Sequence, residues 1–306
     1  MSEAAKGIWA MVAACCIWGL SGIYYKALAH VPPIEVLAHR TLWSLIFFAT
    51  VLALQGRLGL LRAALGTWRG AATVGFAALT ISTNWFVFIT AIQIGRATEA
   101  SLGYYIFPLV AVALGAAALR ERLGRAQLAA VALACAAVVT LTVGLGAAPW
   151  ISLVLAVSFG LYGLVKKRLP VGPVVSVTGE VLLLAPIAGA VLWVAHAAPG
   201  GGAFGQSWRD SAMLAFSGVL TASPLILFSY AARRVMLATV GLIQYINPTL
   251  QFLVATLIFR ESFSFWHGIA FAMIWAALAI YSAANWRQDR VLRRAASRAG
   301  TSAIRR

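Results

Sequence analysis

Charged residues are scarce in this chain of 306 residues, since only 10% of them are Asp, Glu, Lys or Arg. Soluble domains carry roughly 25%. Apolar residues make up 62% of the chain, and the mean hydropathy is +0.88. A composition this poor in charge excludes a soluble globular domain, so lipid is expected to be the main solvent of the folded protein.

Residues that commonly carry catalysis or bind metals are also few. The three cysteines, Cys15, Cys16 and Cys135, fall within apolar stretches without metal-ligand spacing, and we interpret them as small packing residues. The four histidines are scattered, no close pair of carboxylates lies within an apolar stretch, and no Walker-type phosphate loop is present. We therefore expect no catalytic residue, metal, cofactor or ATP-driven step. A membrane-embedded enzyme acting on a lipid-linked substrate stays the alternative to a transporter.

Long apolar runs fill most of the sequence. Ten stretches are each about 17–25 residues long, which is enough for a helix to cross a hydrocarbon layer of roughly 30 Å. Helices are expected because lipid cannot satisfy unpaired backbone groups. The predicted fold class is an all-α polytopic membrane protein with ten transmembrane helices. The predicted spans, numbered in chain order, are 8–28, 34–54, 71–94, 98–119, 126–145, 149–165, 173–195, 211–232, 237–259 and 265–285.

The basic residues are distributed unevenly along these spans. The net charge of +16 would suggest nucleic-acid binding in a soluble protein. If the N-terminus is inside, however, 19 of the 24 basic residues fall in internal segments, and seven of them lie between Arg287 and Arg306. This is the positive-inside bias of membrane proteins, and it predicts cytoplasmic termini with a basic tail at residues 287–306. Nucleic acid is therefore not expected as a partner.

The chain contains one unit twice. Residues 105–108 read Tyr-Ile-Phe-Pro and residues 245–248 read Tyr-Ile-Asn-Pro, 140 positions further on. At the same offset, residues 120–121 and 260–261 are both Arg-Glu. Each unit contains five spans, and an odd number of spans requires the second unit to be inverted in the membrane. The predicted repeats are residues 1–145 and 146–286.

Inverted repeats are typical of secondary transporters, which expose a central site alternately to each side of the membrane. Helices interrupted by Gly or Pro at matching positions of both repeats are expected near such a site. In this chain the matching pairs are predicted spans 1 and 6 and predicted spans 4 and 9. We therefore predict an alternating-access transporter of a small organic solute in the bacterial inner membrane. Its state as a monomer or a homodimer stays open.

Four segments resemble a known family: residues 18–20 (Trp-Gly-Leu), 34–40 (Ile-Glu-Val-Leu-Ala-His-Arg), 99–105 (Glu-Ala-Ser-Leu-Gly-Tyr-Tyr) and 244–252 (Gln-Tyr-Ile-Asn-Pro-Thr-Leu-Gln-Phe). They are similar to segments of RarD-type proteins of the EamA family, in the drug/metabolite transporter superfamily. The resemblance implies a ten-helix basket around a central cavity and favours export, but it identifies no transported molecule. Phe107 departs from the family pattern, which has Asn before this proline, so no polar role is expected there.

Two charged residues, Arg40 and Glu180, are expected inside spans 2 and 7 at similar depths. They are 140 positions apart, so the repeat places a cation and an anion at matching positions. Charges within spans are costly, usually face the interior of the bundle, and are functional candidates. Both are predicted to bind solute. The alternatives are a structural ion pair between the two residues, a coupling proton, and snorkelling of Arg40 toward the membrane surface.

Amide and aromatic side chains form the second candidate set. Gln244, Asn247 and Gln251 recur at i, i+3 and i+7, which predicts one polar stripe on span 9. Such a stripe must face protein or a cavity, and hydrogen bonding between helices is the alternative to solute binding. Rings with a few directional amides suit an organic solute better than an inorganic ion. The other candidates are Trp18, Asn84, Trp85, Tyr104, Tyr105 and Tyr245.

Charged residues near the span ends are interpreted as surface groups. Glu35, Arg96 and Glu99 are expected to be solvated or paired at the outer face. The Arg-Glu pairs at 120–121 and 260–261 are expected to terminate spans 4 and 9 at opposite faces, with a gate salt bridge as the alternative.

Overall fold

The structure is a computed structural model that describes residues 1–119, 123–146, 148–166, 169, 171–235, 239–240 and 243–304. Side chains are described throughout these residues except at 119 and 285–304. The regular secondary structure of this part of the chain is helical. In chain order, the helices are α1 (Glu3–Ala27), α2 (Pro33–Leu54), α3 (Leu58–Leu65), α4 (Trp68–Gln93), α5 (Ala97–Leu119), α6 (Arg125–Leu145), α7 (Trp150–Lys166), α8 (Pro173–Ala197), α9 (Trp208–Ala232), α10 (Ile246–Leu253) and α11 (Phe265–Ile304).

Eight of these helices are long and apolar enough to cross a membrane, namely α1, α2, α4, α5, α6, α8, α9 and the Phe265–Ala284 part of α11. Helix α7 and the segment Ile246–Ile258 are apolar but shorter, and they fall at predicted spans 6 and 9. The prediction of a helical, polytopic membrane protein is confirmed. The predicted limits are also close, since predicted span 2, at 34–54, corresponds to Pro33–Leu54.

Matching prolines begin α2 and α8. Pro33 and Pro173, 140 positions apart, stand in the first turns of these helices. Proline is favourable there because its fixed φ suits the helix and the missing N–H would have no partner within the helix. Another helix starts at a side-chain cap, because Oγ1 of Thr67 accepts a hydrogen bond of 3.1 Å from the N–H of Gly70 in α4.

The two halves of the chain pack against each other. Helix α1 lies against α9 and α10, whereas α7 lies against α4 and α5. Helix α2 packs on α8, and α6 packs on α11. The short helix α3, which hydropathy did not predict, also packs on α8. We call the end of the bundle that carries the 198–207 loop the loop end, and the opposite end, where Glu3 of α1 meets Arg234 after α9, the tail end.

Glycine and proline do not interrupt α1, α5 or α7. Each of these helices is continuous, and Pro108 lies within α5. The predicted interruptions of spans 1, 4 and 6 are therefore wrong. Predicted span 9 is broken, because Gln244 and Tyr245 form a turn before α10 begins. Its next segment, Val254–Ile258, is π-helical, a local irregularity that is frequent at functional sites.

The glycines instead allow helices to approach closely. A Cβ atom on Gly19 would lie 2.6 Å from Cβ of Leu250, so a larger residue would push α1 away from α10. A Cβ atom on Gly160 would lie 3.0 Å from Cδ1 of Leu114 and 3.4 Å from Cγ1 of Val110, on α5. Val110 and Leu250 are themselves 140 positions apart. Small residues therefore bring helices together in both halves of the chain.

Gly218→Ala is expected to destabilise the bundle. A Cβ atom at Gly218 of α9 would lie 2.6 Å from the carbonyl carbon and oxygen of Trp43 in α2, and backbone atoms cannot rotate away. Overpacking of this kind costs about 1–3 kcal/mol, so the thermal unfolding midpoint in detergent should fall. Gly189→Ala is the matched control, because a Cβ atom there meets no atom within 4 Å. Equal midpoints for the two variants would contradict the close contact of α2 with α9.

Candidate functional site

Arg40 is a buried cation, and the part of the chain that the structure describes supplies no counter-ion for it. It lies two turns into α2, is 7% exposed, and has no carboxylate of the described residues within 4.0 Å. Its Nη1 donates a hydrogen bond of 2.7 Å to the hydroxyl of Tyr25 on α1. Its Cζ lies 4.0 Å from the ring centre of Trp85 on α4, and its Nε has no hydrogen-bond partner in the described chain. A charge buried in this way is costly and marks a functional candidate.

Aromatic rings form an apolar wall beside Arg40. Tyr25 meets Phe88 edge-on at 5.9 Å between ring centres, and Phe88 meets Tyr104 edge-on at 5.8 Å. Edge-to-face contacts of this kind are favourable beyond the apolar area that they bury. The rings come from α1, α4 and α5, and together with Trp85 they belong to one apolar cluster.

Asn84 links three helices at the same place. It is 1% exposed, and its Nδ2 donates to the carbonyl oxygen of Leu155 at 2.9 Å and to Oγ of Ser158 at 3.1 Å, both on α7. Its Oδ1 accepts a hydrogen bond of 2.8 Å from the hydroxyl of Tyr104 on α5. The amide thus joins α4 to both neighbours. We call this assembly the Arg40 cluster, and it consists of Tyr25, Arg40, Asn84, Trp85, Phe88 and Tyr104.

A cleft opens beside the Arg40 cluster, between α4 and α7. Its volume is about 430 Å³, it is open at the surface of the bundle, and it is lined by leucine and valine side chains together with Thr80, Thr83 and Ser158. Ser158 is also the residue that accepts a hydrogen bond from Asn84. Ser158 therefore both lines the cleft and contacts the cluster.

Tyr105 lies on a different face of α5 from Tyr104. Its hydroxyl and Oγ1 of Thr249 are 2.7 Å apart, and its ring meets that of Phe271 on α11 at 5.8 Å. Tyr245 packs against the same apolar cluster as Tyr105. Consecutive helical residues point about 100° apart, which explains why the two neighbouring tyrosines belong to separate assemblies.

The polar residues of predicted span 9 are only partly brought together. Nε2 of Gln251 donates a hydrogen bond of 3.0 Å to Oδ1 of Asn247, and Oε1 of Gln251 has no partner within the described chain. Gln244 lies in the turn before α10, so the predicted helical stripe does not extend to it. Trp18, half-buried on α1, lies 6.2 Å from Phe228 between ring centres. The backbone oxygen of Asn247 faces α1 at Gly19, so this amide pair adjoins α1.

Glu180 is neutralised by a neighbouring helix rather than by Arg40. Its Oε1 accepts hydrogen bonds from Nζ of Lys166 at 2.6 Å and from Oγ of Ser176 at 2.8 Å, and its Oε2 accepts one of 3.1 Å from the hydroxyl of Tyr162. Glu180 is 0% exposed. The alternative of a direct ion pair between Arg40 and Glu180 is therefore wrong, because α7 supplies the partner of the carboxylate.

Glu35 is buried at the loop end, contrary to the prediction of a surface charge. It is 4% exposed, and its Oε1 accepts a hydrogen bond of 2.6 Å from the N–H of Ala203 in the 198–207 loop. Phe204 of the same loop stacks on the ring of His39 at 5.0 Å between centres. The loop folds over the start of α2 and covers the carboxylate, which hydropathy alone could not indicate.

Glu261 forms a second set of hydrogen bonds between distant segments at the loop end, in addition to that of Glu35 with Ala203. Its Oε1 accepts a hydrogen bond of 2.7 Å from the N–H of Ala97, and its Oε2 accepts one of 2.7 Å from the N–H and one of 2.8 Å from Oγ1 of Thr98. A carboxylate at the start of a helix is favourable because the first N–H groups point toward it. Glu99 pairs with Arg96 in the same turn, and it is 7% exposed. Residues 120–121, the matching Arg-Glu pair, lie outside the described residues.

Two residues that form these contacts, Tyr25 and Lys166, were not singled out from the sequence. Glu261 was expected to end span 9, but its role as a cap of α5 was not predicted. The repeat offset contains a signal for one of them. Lys166 stands 14 positions before Glu180, as Lys26 stands before Arg40. Tyr25 and the capping role of Glu261 have no comparable signal, because both depend on the tertiary packing.

A multi-pass helical bundle with charged, amide and aromatic side chains buried between its helices has the construction of a membrane transporter. Comparisons with known proteins agree, since residues 5–143 match the EamA-like transporter family. The chain is 40% identical over 294 residues to the uncharacterized transporter YojE of Bacillus subtilis, covering 94% of this chain and 97% of that protein. It is also 36% identical over 277 residues to the protein RarD of Escherichia coli K12, covering 90% of this chain and 93% of that protein.

The chain therefore belongs to the EamA family and is a RarD-type member of it. The family description and the relatives' names point to transport rather than catalysis. The bacterial relatives and the apolar helices support a multi-pass protein of the inner membrane. A solved crystal structure matches 90% of this chain and 96% of its own chain with a TM-score of 0.60 at 20% identity, which shows a shared fold alone.

Proposed function

We propose that the chain is a secondary transporter that moves a small organic solute across the inner membrane by alternating access. The resemblance to the family favours export. The proposed architecture is ten spans in two inverted repeats, residues 1–145 and 146–286, followed by the basic tail at 287–306. Helix α7 and the segment Ile246–Ile258 then serve as the sixth and ninth spans.

The observation that carries this proposal is the matched packing of the two halves. Gly19 lets α1 approach α10 at Leu250, and Gly160 lets α7 approach α5 at Val110. Exchanging the two proposed repeats converts one contact into the other, because both pairs differ by 140 or 141 positions. An inverted repeat predicts such pairs, and in secondary transporters the solute site lies where the repeats meet.

The hydrogen bonds of Glu35 and Glu261 at the loop end form one gate of the proposed transport cycle. Glu35 belongs to the first proposed repeat and holds Ala203 of the second, whereas Glu261 belongs to the second and holds Ala97 and Thr98 of the first. Opening the loop end requires that these hydrogen bonds break. Alternating access therefore predicts that they form and break once in each transport cycle.

Within this bundle, buried polar groups and rings are the proposed solute contacts, since an organic solute needs both a pocket of apolar side chains and a few directional groups. The proposed contacts are Trp18, Arg40, Trp85, Tyr104, Gln244, Asn247 and Gln251. The remaining candidates, which we propose to position these contacts, are Asn84, Tyr105, Glu180 and Tyr245.

Cytoplasmic N- and C-termini are proposed from the distribution of the basic residues, and this orientation can be tested by thiol labelling. In a variant lacking the three native cysteines, Gln206→Cys in the 198–207 loop should react with an impermeant maleimide added to spheroplasts. Gln55→Cys, at the tail end, should react only after the membrane is opened. Both positions are exposed, so access is not limited by the protein itself. The reverse pattern would contradict cytoplasmic termini.

Metabolite profiling tests the transport function before the solute is identified. Cells with and without the gene are compared for intracellular and extracellular small molecules, and the molecules that differ are tested for saturable uptake into proteoliposomes. A solute with saturable, protein-dependent flux is the expected result. Folded protein in proteoliposomes that moves none of the differing molecules would contradict the proposal.

A further inference from the structure

The two matching charges of the bundle are compensated differently. In the second half of the chain, Lys166 of α7 neutralises Glu180 of α8 at 2.6 Å. In the first half, the residue 14 positions before Arg40 is Lys26. Lys26 lies over the ring of Phe259, and it is itself a cation, so it cannot neutralise Arg40. The lysine at this position therefore neutralises the buried charge in the second half of the chain, whereas in the first half it adds a second positive charge.

The immediate partners of Arg40 do not supply the missing charge. The hydroxyl of Tyr25 and the ring of Trp85 are neutral groups that attract a guanidinium without balancing it. Glu35, five positions before Arg40 on α2, accepts a hydrogen bond from the N–H of Ala203 in the loop. Nε of Arg40 is buried and has no hydrogen-bond partner within the described chain.

A buried guanidinium with a free donor beside aromatic rings has the chemistry of an anion site. A carboxylate can accept two parallel hydrogen bonds from one guanidinium, and such pairs are stronger in a desolvated environment than in water. The rings of Phe88 and Tyr104 belong to the same apolar cluster as Trp85, which lies against this guanidinium. A ligand with one anionic group and one apolar part would satisfy both features.

We propose that the transported solute is an organic anion whose negatively charged group binds Arg40. Its apolar part packs against the rings of the Arg40 cluster. The inference rests on the proposed transport function and adds the charge of the solute to it. The solute would then be the counter-ion of Arg40, as Lys166 is the counter-ion of Glu180.

A matched set of three probes tests the sign of the charge. The probes are 3-phenylpropionate, 3-phenylpropionamide and 3-phenylpropylamine, which share a ring and differ in charge. Binding to the purified protein in detergent is measured by ligand-observed NMR at concentrations up to about 10 mM. The carboxylate should bind at least about tenfold more tightly than the amide or the amine. Equal or tighter binding of the amide or the amine overturns the inference, and so does the absence of binding by all three.

Variants of the cation assign the effect to Arg40. Arg40→Met should bring the affinity for 3-phenylpropionate down to that for the amide. Arg40→Lys keeps the charge but loses the planar fork, so about tenfold weaker binding with a retained preference is expected. If Arg40→Met does not fold, Arg40→Lys still tests the assignment. Lys26→Met is the matched control and should leave the preference unchanged. A preference that survives in Arg40→Met, or that Arg40→Lys abolishes in folded protein, overturns the assignment.

The charge of the solute and the transport function can fail separately. If profiling finds a neutral or cationic solute with saturable flux, transport stands and the anion inference is wrong. If the carboxylate binds in an Arg40-dependent manner but no molecule shows saturable flux, the anion site stands and the transport proposal is wrong.

Discussion

Lys166→Met is expected to lower the free energy of unfolding by about 3–5 kcal/mol, because it leaves the Glu180 carboxylate buried without its cation. Glu180 is 0% exposed, whereas the side chain of Lys166 is 21% exposed. Glu180→Gln should therefore cost less, since the ammonium group can reach toward the membrane surface. The double variant should be milder than Lys166→Met alone. Unfolding in detergent, followed by circular dichroism, measures all three.

The double-mutant cycle decides whether this pair is a unit. Lys6→Met is the control, because its ion pair with Glu3 is exposed, at 48% and 63% for the two side chains, and water screens such a pair, so this variant should unfold much like the parent. Additive losses for Lys166 and Glu180 would contradict the observed pair. A restoring effect of Arg40→Met on Glu180→Gln would instead favour the coupling between Arg40 and Glu180 that the repeat offset suggested.

Glu261→Gln is expected to shift the protein toward conformations that are open at the loop end. The substitution keeps the shape of the side chain but removes the charge that accepts hydrogen bonds from Ala97 and Thr98. Charge-assisted hydrogen bonds contribute about 1.5–3 kcal/mol each, and roughly 1.4 kcal/mol is a factor of ten in an equilibrium. Ser101→Cys reports on this opening, since Ser101 is 0% exposed in the structure. Its labelling rate with an impermeant maleimide should rise at least about tenfold.

The neighbouring arginine provides a control for this experiment. Arg260→Gln removes a charge beside Glu261 but no side-chain hydrogen bond within the described chain, so the labelling rate of Ser101→Cys should stay within about twofold. If Glu261→Gln and Arg260→Gln gave the same rate as the parent, the hydrogen bonds to α5 would not hold the loop end closed.

The positions of the helices could be predicted from the sequence because lipid imposes one dominant requirement. Each crossing segment must be apolar and must satisfy its backbone internally, so hydropathy locates α2 and α5 within a residue or two of their ends. The break at Gln244 and Tyr245 cannot be found by hydropathy, although the proline that span 9 shares with span 4 in the repeat predicted an interruption of span 9. A turn inside an apolar segment depends on what the neighbouring helices offer, and hydropathy contains no such information.

Partnerships between side chains were predicted less well than the helices. The repeat offset suggested Arg40 and Glu180 as matching positions, but matching positions in two helices do not bring their side chains together. Each residue is held by the preceding helix of its own half, through Tyr25 and through Lys166. Glu35 was expected at the surface, and it is buried because a loop more than 160 positions away folds over it. Contacts of that separation cannot be derived from local patterns in one sequence.

Counterflow in proteoliposomes is the most direct test of alternating access. Vesicles loaded with unlabelled solute, chosen by metabolite profiling, are diluted into a trace of the labelled solute. A carrier that exposes one site alternately should accumulate the label transiently above its equilibrium level. The label enters as unlabelled solute leaves, and the excess of unlabelled solute inside occupies the site and slows the exit of the label. We expect this overshoot for the parent protein and a smaller one for Arg40→Met. Protein-dependent flux without an overshoot, linear in solute concentration, would indicate a pore and would contradict alternating access.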